Sequence, residues 1–278
     1  MPLYSAIAPL PVNRIKNRLF DPDARSFIST AGVTDRVARG QINAFVVGVK
    51  ALGLWSSMVC WPLRLTQNSQ SGTTIYSLGG LGTFNGTLVN SPTRASDFMV
   101  FSDASKYMEI TGLTGLTSTM FLMTVARYNY LMNGTLGIDI NSTALFGGQT
   151  TNYMHGFTGA ASGAIGSGIR TNMSAGFSLW SNLATGVAED DLGILFIGHN
   201  GTQQLFRWNN TTQSRTIATT VGIGTTARLN VRSDAFGPQG GLSDYAFTMM
   251  CNGSVSDANF QSLRTIYKNT LGAGLGLP

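Results

Sequence analysis

GILFIGHNGTQQLFRWNN, residues 193–210, holds two short apolar runs with a turn between them. Residues 193–198 and 203–208 read as strands, and His199-Asn200-Gly201 separates them. Asn-Gly tolerates the positive φ values of tight hairpin turns. The pattern extends outward in both directions, from Leu54 to Gly253. Short runs rich in Val, Ile, Thr, Phe and Tyr alternate with Gly, Asn and Ser. Strands are expected over 57–65, 74–78, 98–101, 106–110, 117–127, 143–147, 193–198, 203–208, 213–219, 226–232 and 243–250. Four Asn-Gly pairs, at Asn85, Asn133, Asn200 and Asn252, punctuate them. Many short strands with turn signals between them point to an all-β sandwich or barrel. No helix alternates with these strands, which argues against a parallel α/β sheet.

Helices are expected only at the two ends of this region. Asp21 is a good N-cap and Pro22 suits the first helical position, so a helix runs over 22–31 and ends at Gly32. Thr34 or Asp35 caps a second helix over 35–52, stopped by Gly53. In it Ile42, Phe45, Val46 and Val49 fall on one apolar face, which must pack on something, most simply the sandwich behind it. Ser256 or Asp257 caps a third helix over 257–270, with Phe260, Leu263, Ile266 and Tyr267 along one side. The chain thus divides into an extended arm (1–20), a helical preface (21–56) and a β-sandwich with its closing helix (57–278). Residues 149–190 stand apart. They contain TTNYMHGFTGAASGAIGSGIRTNMSAG, rich in Gly, Ser and Thr, and read as a long exposed loop or an irregular hairpin.

Charged residues make up 11% of the 278, against about 25% in ordinary soluble domains. A surface this poor in charge is cheap to bury against another protein, because few ions need desolvating. The net charge of +5 is uneven: residues 1–50 hold seven basic and three acidic side chains. The arm carries Arg14, Lys16 and Arg18 beside Tyr4 and Ile7. Three charges fall short of the broad basic face a nucleic-acid reader wants, so no nucleic-acid partner is expected. The arm reads instead as an anchor on a partner protein. Cys60 and Cys251 lie in apolar strand-like runs and read as buried free thiols. Met1–Leu10 lacks the charge and apolar core of a signal sequence, and no apolar run approaches a membrane span. Synthesis in the cytoplasm is the resulting expectation, with no membrane partner.

Candidate chemistry is sparse. Asp97, Asp103, Glu109 and Asp139 are scattered, and Glu189-Asp190-Asp191 reads as a solvated turn, so no metal and no cofactor are expected. His155 and His199 are the two histidines, and no nucleophile constellation accompanies them, so no enzyme is expected. Sugars stack on exposed aromatics and take hydrogen bonds from Asn and Asp. Tyr153, Trp180 and Trp208, near loops or strand ends, are the carbohydrate-binding candidates; burial in a core or an interface is the competing fate of such rings.

Three stretches resemble a known family. FSDASKYMEITGLTGLTSTMFLMTVARYN (101–129) resembles the laminin-G-like, concanavalin A-like pattern of a strand, a turn and a long core strand. Residues 193–210 resemble its later hairpins, and GGLSDYAFTMMCNGSVSDANFQSLRTIYKNTLG (240–272) resembles its closing strand and short helix. DPDARSFISTAGVTDRVARGQINAFVVGVKALGLWSSMVCWPL (21–63) is similar to a helical preface seen before this fold in virion proteins of tailed bacteriophages. The resemblance implies a jelly-roll sandwich in a virion, as a capsid decoration or a head or tail appendage. Its partners would be other virion structural proteins and copies of itself, with a trimer as the implied assembly. The alternative is a glycan-binding attachment module on a tail or head fibre, which recognises host surface glycans.

Overall fold

The computed structural model describes residues 20–103, 105–117, 119–128, 138–141, 153–159, 164–170, 179–183, 191–199, 203–216, 225–234, 237–240, 243–253 and 256–278. The arm residues Tyr4, Ile7, Arg14, Lys16 and Arg18 lie outside them, as does the strand expected over 143–147.

Among the described residues three helices form where their caps are written. In α1 (Pro22–Thr30) the Asp21 carboxylate accepts the Asp23 N–H. In α2 (Arg36–Ala51) the Asp35 carboxylate accepts the Ala38 N–H at 2.7 Å. In α3 (Asp257–Asn269) the Ser256 hydroxyl accepts the Asn259 N–H. Each cap satisfies a backbone donor that has no partner inside the helix.

The strands are β1 (Met58–Pro62), β2 (Thr74–Ile75), β3 (Gly86–Val89), β4 (Thr93–Arg94), β5 (Met99–Phe101), β6 (Tyr107–Thr111), β7 (Met120–Tyr128), β8 (Ile138–Asn141) and β9 (Tyr153–Gly159). They continue with β10 (Ala164–Arg170), β11 (Leu179–Leu183), β12 (Leu192–His199), β13 (Gln203–Trp208), β14 (Thr211–Thr216), β15 (Thr226–Leu229), β16 (Val231–Asp234), β17 (Gly237–Gly240) and β18 (Ser243–Asn252). A central sheet runs β14-β13-β12-β7-β18-β5-β4, with β1 also paired to β18. An outer sheet runs β11-β10-β9-β8-β15-β6-β3-β2, and β16 and β17 form a separate ribbon. Every pairing is antiparallel.

The central sheet is buried on both faces. Along β7, Met120, Leu122 and Ala126 join the core shared with the outer sheet, while Phe121, Met123 and Val125 join the core beneath the helices. The same split divides Val59 and Trp61 from Met58 and Cys60 on β1, and Leu195 and Ile197 from Ile194 and Phe196 on β12. A bulge in β18 shifts the register between Tyr245 and Phe247. Without it those two residues would share a face; with it Tyr245 faces the outer sheet and Phe247 the helices. The bulge carbonyl of Ala246 accepts the Leu63 N–H at 3.0 Å, which turns the chain out of β1. The molecule is therefore three layers: outer sheet, central sheet, helices. Both cysteines are free and buried on the helix side.

Two expectations are corrected. Of the two readings of residues 149–190, the long loop is corrected and the hairpin stands, because they contain β9, β10 and β11, consecutive antiparallel strands that extend the outer sheet. Their Gly, Ser and Thr content hid strands whose backbone ladder needs no particular side chain. The single strand expected over 226–232 is two, broken at Asn230, which adopts φ 77°. The short β3, β4, β8 and β17 were not anticipated at all.

Candidate functional site

Beside α1 the structure holds a cleft of about 280 Å³. It is built by α1, the turn after α2 and the stretch YSLGGLGTFN (76–85), which leads from β2 to β3. Phe27, Leu78 and Gly79 are among its lining, with the half-buried rings of Trp55 and Tyr76. Asp23, Ser26, Thr30, Ser77, Thr83 and Asn85 supply its polar groups.

Each wall is fixed from behind. Gly79 lies so close to β1 that a Cβ there would come within 2.2 Å of the Met58 carbonyl oxygen, so only glycine fits. Gly80 donates its N–H to the Trp55 carbonyl at 3.0 Å and ties the stretch to the turn that carries the ring. Asn85 Oδ1 accepts the Ser77 N–H at 3.0 Å, and Ser77 Oγ accepts the Phe84 N–H at 2.9 Å, which closes 77–85 into a loop. The Phe84 carbonyl takes the buried Trp61 indole N–H at 2.7 Å, anchoring the loop in the core.

The α1 wall is held by charge. Lys50, in the last turn of α2, lies 2.8 Å from Asp21 and 2.6 Å from Asp23, with its ammonium 5.1 Å from the centre of the Trp55 ring. Partial burial works against the charge on Asp21, but the hydrogen bonds from Lys50 and the Asp23 N–H outweigh it and hold the carboxyl below its ordinary value. Burial likewise opposes the Lys50 charge, and the two carboxylates more than compensate, raising its pKa. The arrangement is a prebuilt recess with two aromatic rings, hydroxyls and an amide: groups that bind a polar, ring-shaped ligand with little reorganisation.

Of the residues singled out from the sequence, Trp208 is corrected. It is 7% exposed and packed in the core between the sheets, where a Cβ on Gly193 would sit 2.3 Å from its ring. A ring so enclosed presents no face to a sugar. Tyr153 on β9 and Trp180 on β11 fall on the two strands that flank β10: Tyr153 pairs with Arg170 at the end of β10, and Trp180 pairs with Gly168 two residues before it. The cleft residues were not foreseen. Trp55 and Tyr76 carry no motif, and the one local signal was the glycine run Gly79-Gly80-Leu81-Gly82.

The arrangement of sheets is that of a jelly-roll-like β-sandwich with helices on one face. No protein-family model matches the chain, and no curated protein matches it in sequence. Solved structures do resemble it. Trypanosoma rangeli sialidase in complex with sialic acid matches 77% of this chain with a TM-score of 0.56 at 8% identity. The binding domain of botulinum neurotoxin DC in complex with SialylT matches 76% with a TM-score of 0.52 at 9% identity. A botulinum neurotoxin type C structure matches 78% with a TM-score of 0.53 at 8% identity. The chain spans 33% of the sialidase and 51% and 53% of the two neurotoxin chains. At these identities the likeness is one of fold.

Proposed function

We propose that the chain is a non-catalytic glycan-binding module and that the cleft between α1 and residues 76–85 receives the sugar. The observation that carries this reading is the pairing of Trp55 and Tyr76 with neutral hydrogen-bonding groups in a recess whose walls are already anchored. Aromatic rings offer a flat apolar face to the C–H side of a sugar, and hydroxyls and amides meet its edge. The fold supports the reading, since the similar structures include complexes with sialic acid and SialylT and a toxin dependent on two ganglioside molecules. Assignment to the laminin-G-like branch of the sandwiches belongs to the same proposal. A non-catalytic role fits the dispersal of the carboxylates: Asp97, Asp103 and Glu109 each sit beside their own cation, Arg64, Lys106 and Arg228. Neither the fold nor its neighbours support the virion setting, which rests on the resemblance of residues 21–63 alone.

The test is a glycan array followed by calorimetry on the strongest hit. Tyr76→Ala is expected to weaken binding about tenfold, the worth of one stacked ring at ~1.4 kcal/mol. Tyr153→Ala and Trp180→Ala serve as the competing arm. Loss of binding in either of them, with Tyr76→Ala unaffected, moves the site to β9–β11.

A further inference from the structure

We propose that the cleft selects neutral sugars and rejects acidic ones. This rests on the reading of the cleft as a glycan site and adds the chemical class of its ligand.

Among the described residues that line the cleft, Asp23 is the one charged side chain, and it is an anion. Recognition of a carboxylate-bearing sugar calls for a cation, or a fork of donors, at the point where the carboxylate lands. Among the described residues Lys50 is the cation beside this wall, and its ammonium is already engaged, 2.8 Å and 2.9 Å from the two Asp21 oxygens and 2.6 Å from Asp23. An ammonium has three donors, and those two carboxylates take them. The arginines of α1 and α2, Arg25 and Arg39, line a separate hollow with Phe20, Ile28 and Val33. Asp21 and Asp23 share the one ammonium of Lys50, so this wall keeps a net charge of −1. An acidic sugar in the cleft would be repelled by it, while a neutral one meets hydroxyls and an amide.

The remaining polar groups suit that neutral ligand. Ser26 and Thr30 stand one helical turn apart along α1, and Asn85 has its amide plane set by the hydrogen bond from Ser77. The volume, about 280 Å³, lies just below the range of small-molecule sites, ~300 to 1,000 Å³. That limits the ligand to a short neutral unit, such as a terminal hexose or N-acetylhexosamine.

The experiment uses the full chain and an array of matched pairs, each neutral glycan printed beside its sialylated or uronic counterpart. Hits are then titrated by calorimetry at 50 mM and 500 mM salt. Neutral members are expected to bind at least tenfold more tightly than their acidic partners at low salt. Because the discrimination is electrostatic, high salt narrows the ratio, and Asp23→Asn narrows it further. Tyr76→Ala and Asn85→Ala, two independent changes in the walls, locate the site. If acidic members bind as well as neutral ones and both wall variants abolish that binding, this inference is overturned while the glycan site stands. A preference for neutral members that Asp23→Asn leaves unchanged also overturns it. If no member binds, or if the wall variants bind as the parent does, the glycan-site reading itself is lost.

Discussion

The two faces of the central sheet are built differently. Toward the outer sheet, strand meets strand. There Trp61, Phe101, Tyr245 and Trp208 interleave with Met108, Ile110 and Leu229, and a buried hydroxyl pair, Thr124 and Thr248, bridges β7 and β18 at 3.1 Å. Toward the helices, strand meets helix through two chains of rings. Phe45 contacts Phe247, Phe247 contacts Tyr267, and Phe121 contacts Phe196, which contacts Phe260, with centroids between 4.7 and 5.7 Å apart. The buried Arg207 lies under α3, ion-paired to Asp257 and 4.6 Å from the Phe260 ring centre. The helices are thus a layer of the core. A division of the chain into preface and sandwich describes its order in sequence; the packing joins the two through one set of side chains.

The sharpest way to break this comparison is on the helix side. Phe247→Ala removes a fully buried ring that touches both α2 and α3, and a loss of about 3–5 kcal/mol in urea unfolding is expected. A loss below ~1 kcal/mol means that the helices merely decorate the sheet. On the opposite face, Gly193→Ala drives a methyl group into the Trp208 ring, and about 1–3 kcal/mol is expected as overpacking strain. If that variant is as stable as the parent, the inter-sheet core has slack that the helix side lacks.

The smallest effect lies at the rim of the helix layer, where Lys50 joins α1 to α2. The Asp21 carboxyl is held below its ordinary 3.8, so its contribution is complete above that value and is lost as pH falls through the lowered one. Lys50 is raised above 10.5, so its contribution is complete below that value and is lost as pH rises through the raised one. Partly exposed surface pairs of this kind are worth under about 1 kcal/mol. Asp21→Asn keeps a capping side chain and is expected to flatten the acid limb of melting temperature against pH. An unchanged limb assigns the acid sensitivity to other carboxylates.

The helices were legible to within a residue because their ends are chemical: Asp21, Asp35 and Ser256 cap them, and Gly32 and Gly53 follow the first two with positive φ. The strand region was legible as a sandwich, but not its depth. Unbroken apolar runs such as Met120 to Met123 lack the alternation of a half-solvated strand, because both faces are covered. β9–β11 escaped notice because glycine and serine carry no burial signal. The cleft was hidden for a different reason: its residues come from 23–30, 55 and 76–85, and only the fold brings them together. Trp208 misled because its place at a strand end, beside a turn, resembles that of an exposed ring.

The pairing of β1 with β18 has a consequence in time. Ser57, beside the start of β1, and Cys251, near the end of β18, share a contact across 194 residues of chain. A ribosome adds ~5–20 residues per second, so β1 and the apolar side of α2 wait roughly 10–40 s before the strand that covers them exists. During synthesis these segments are the ones a holding chaperone would find.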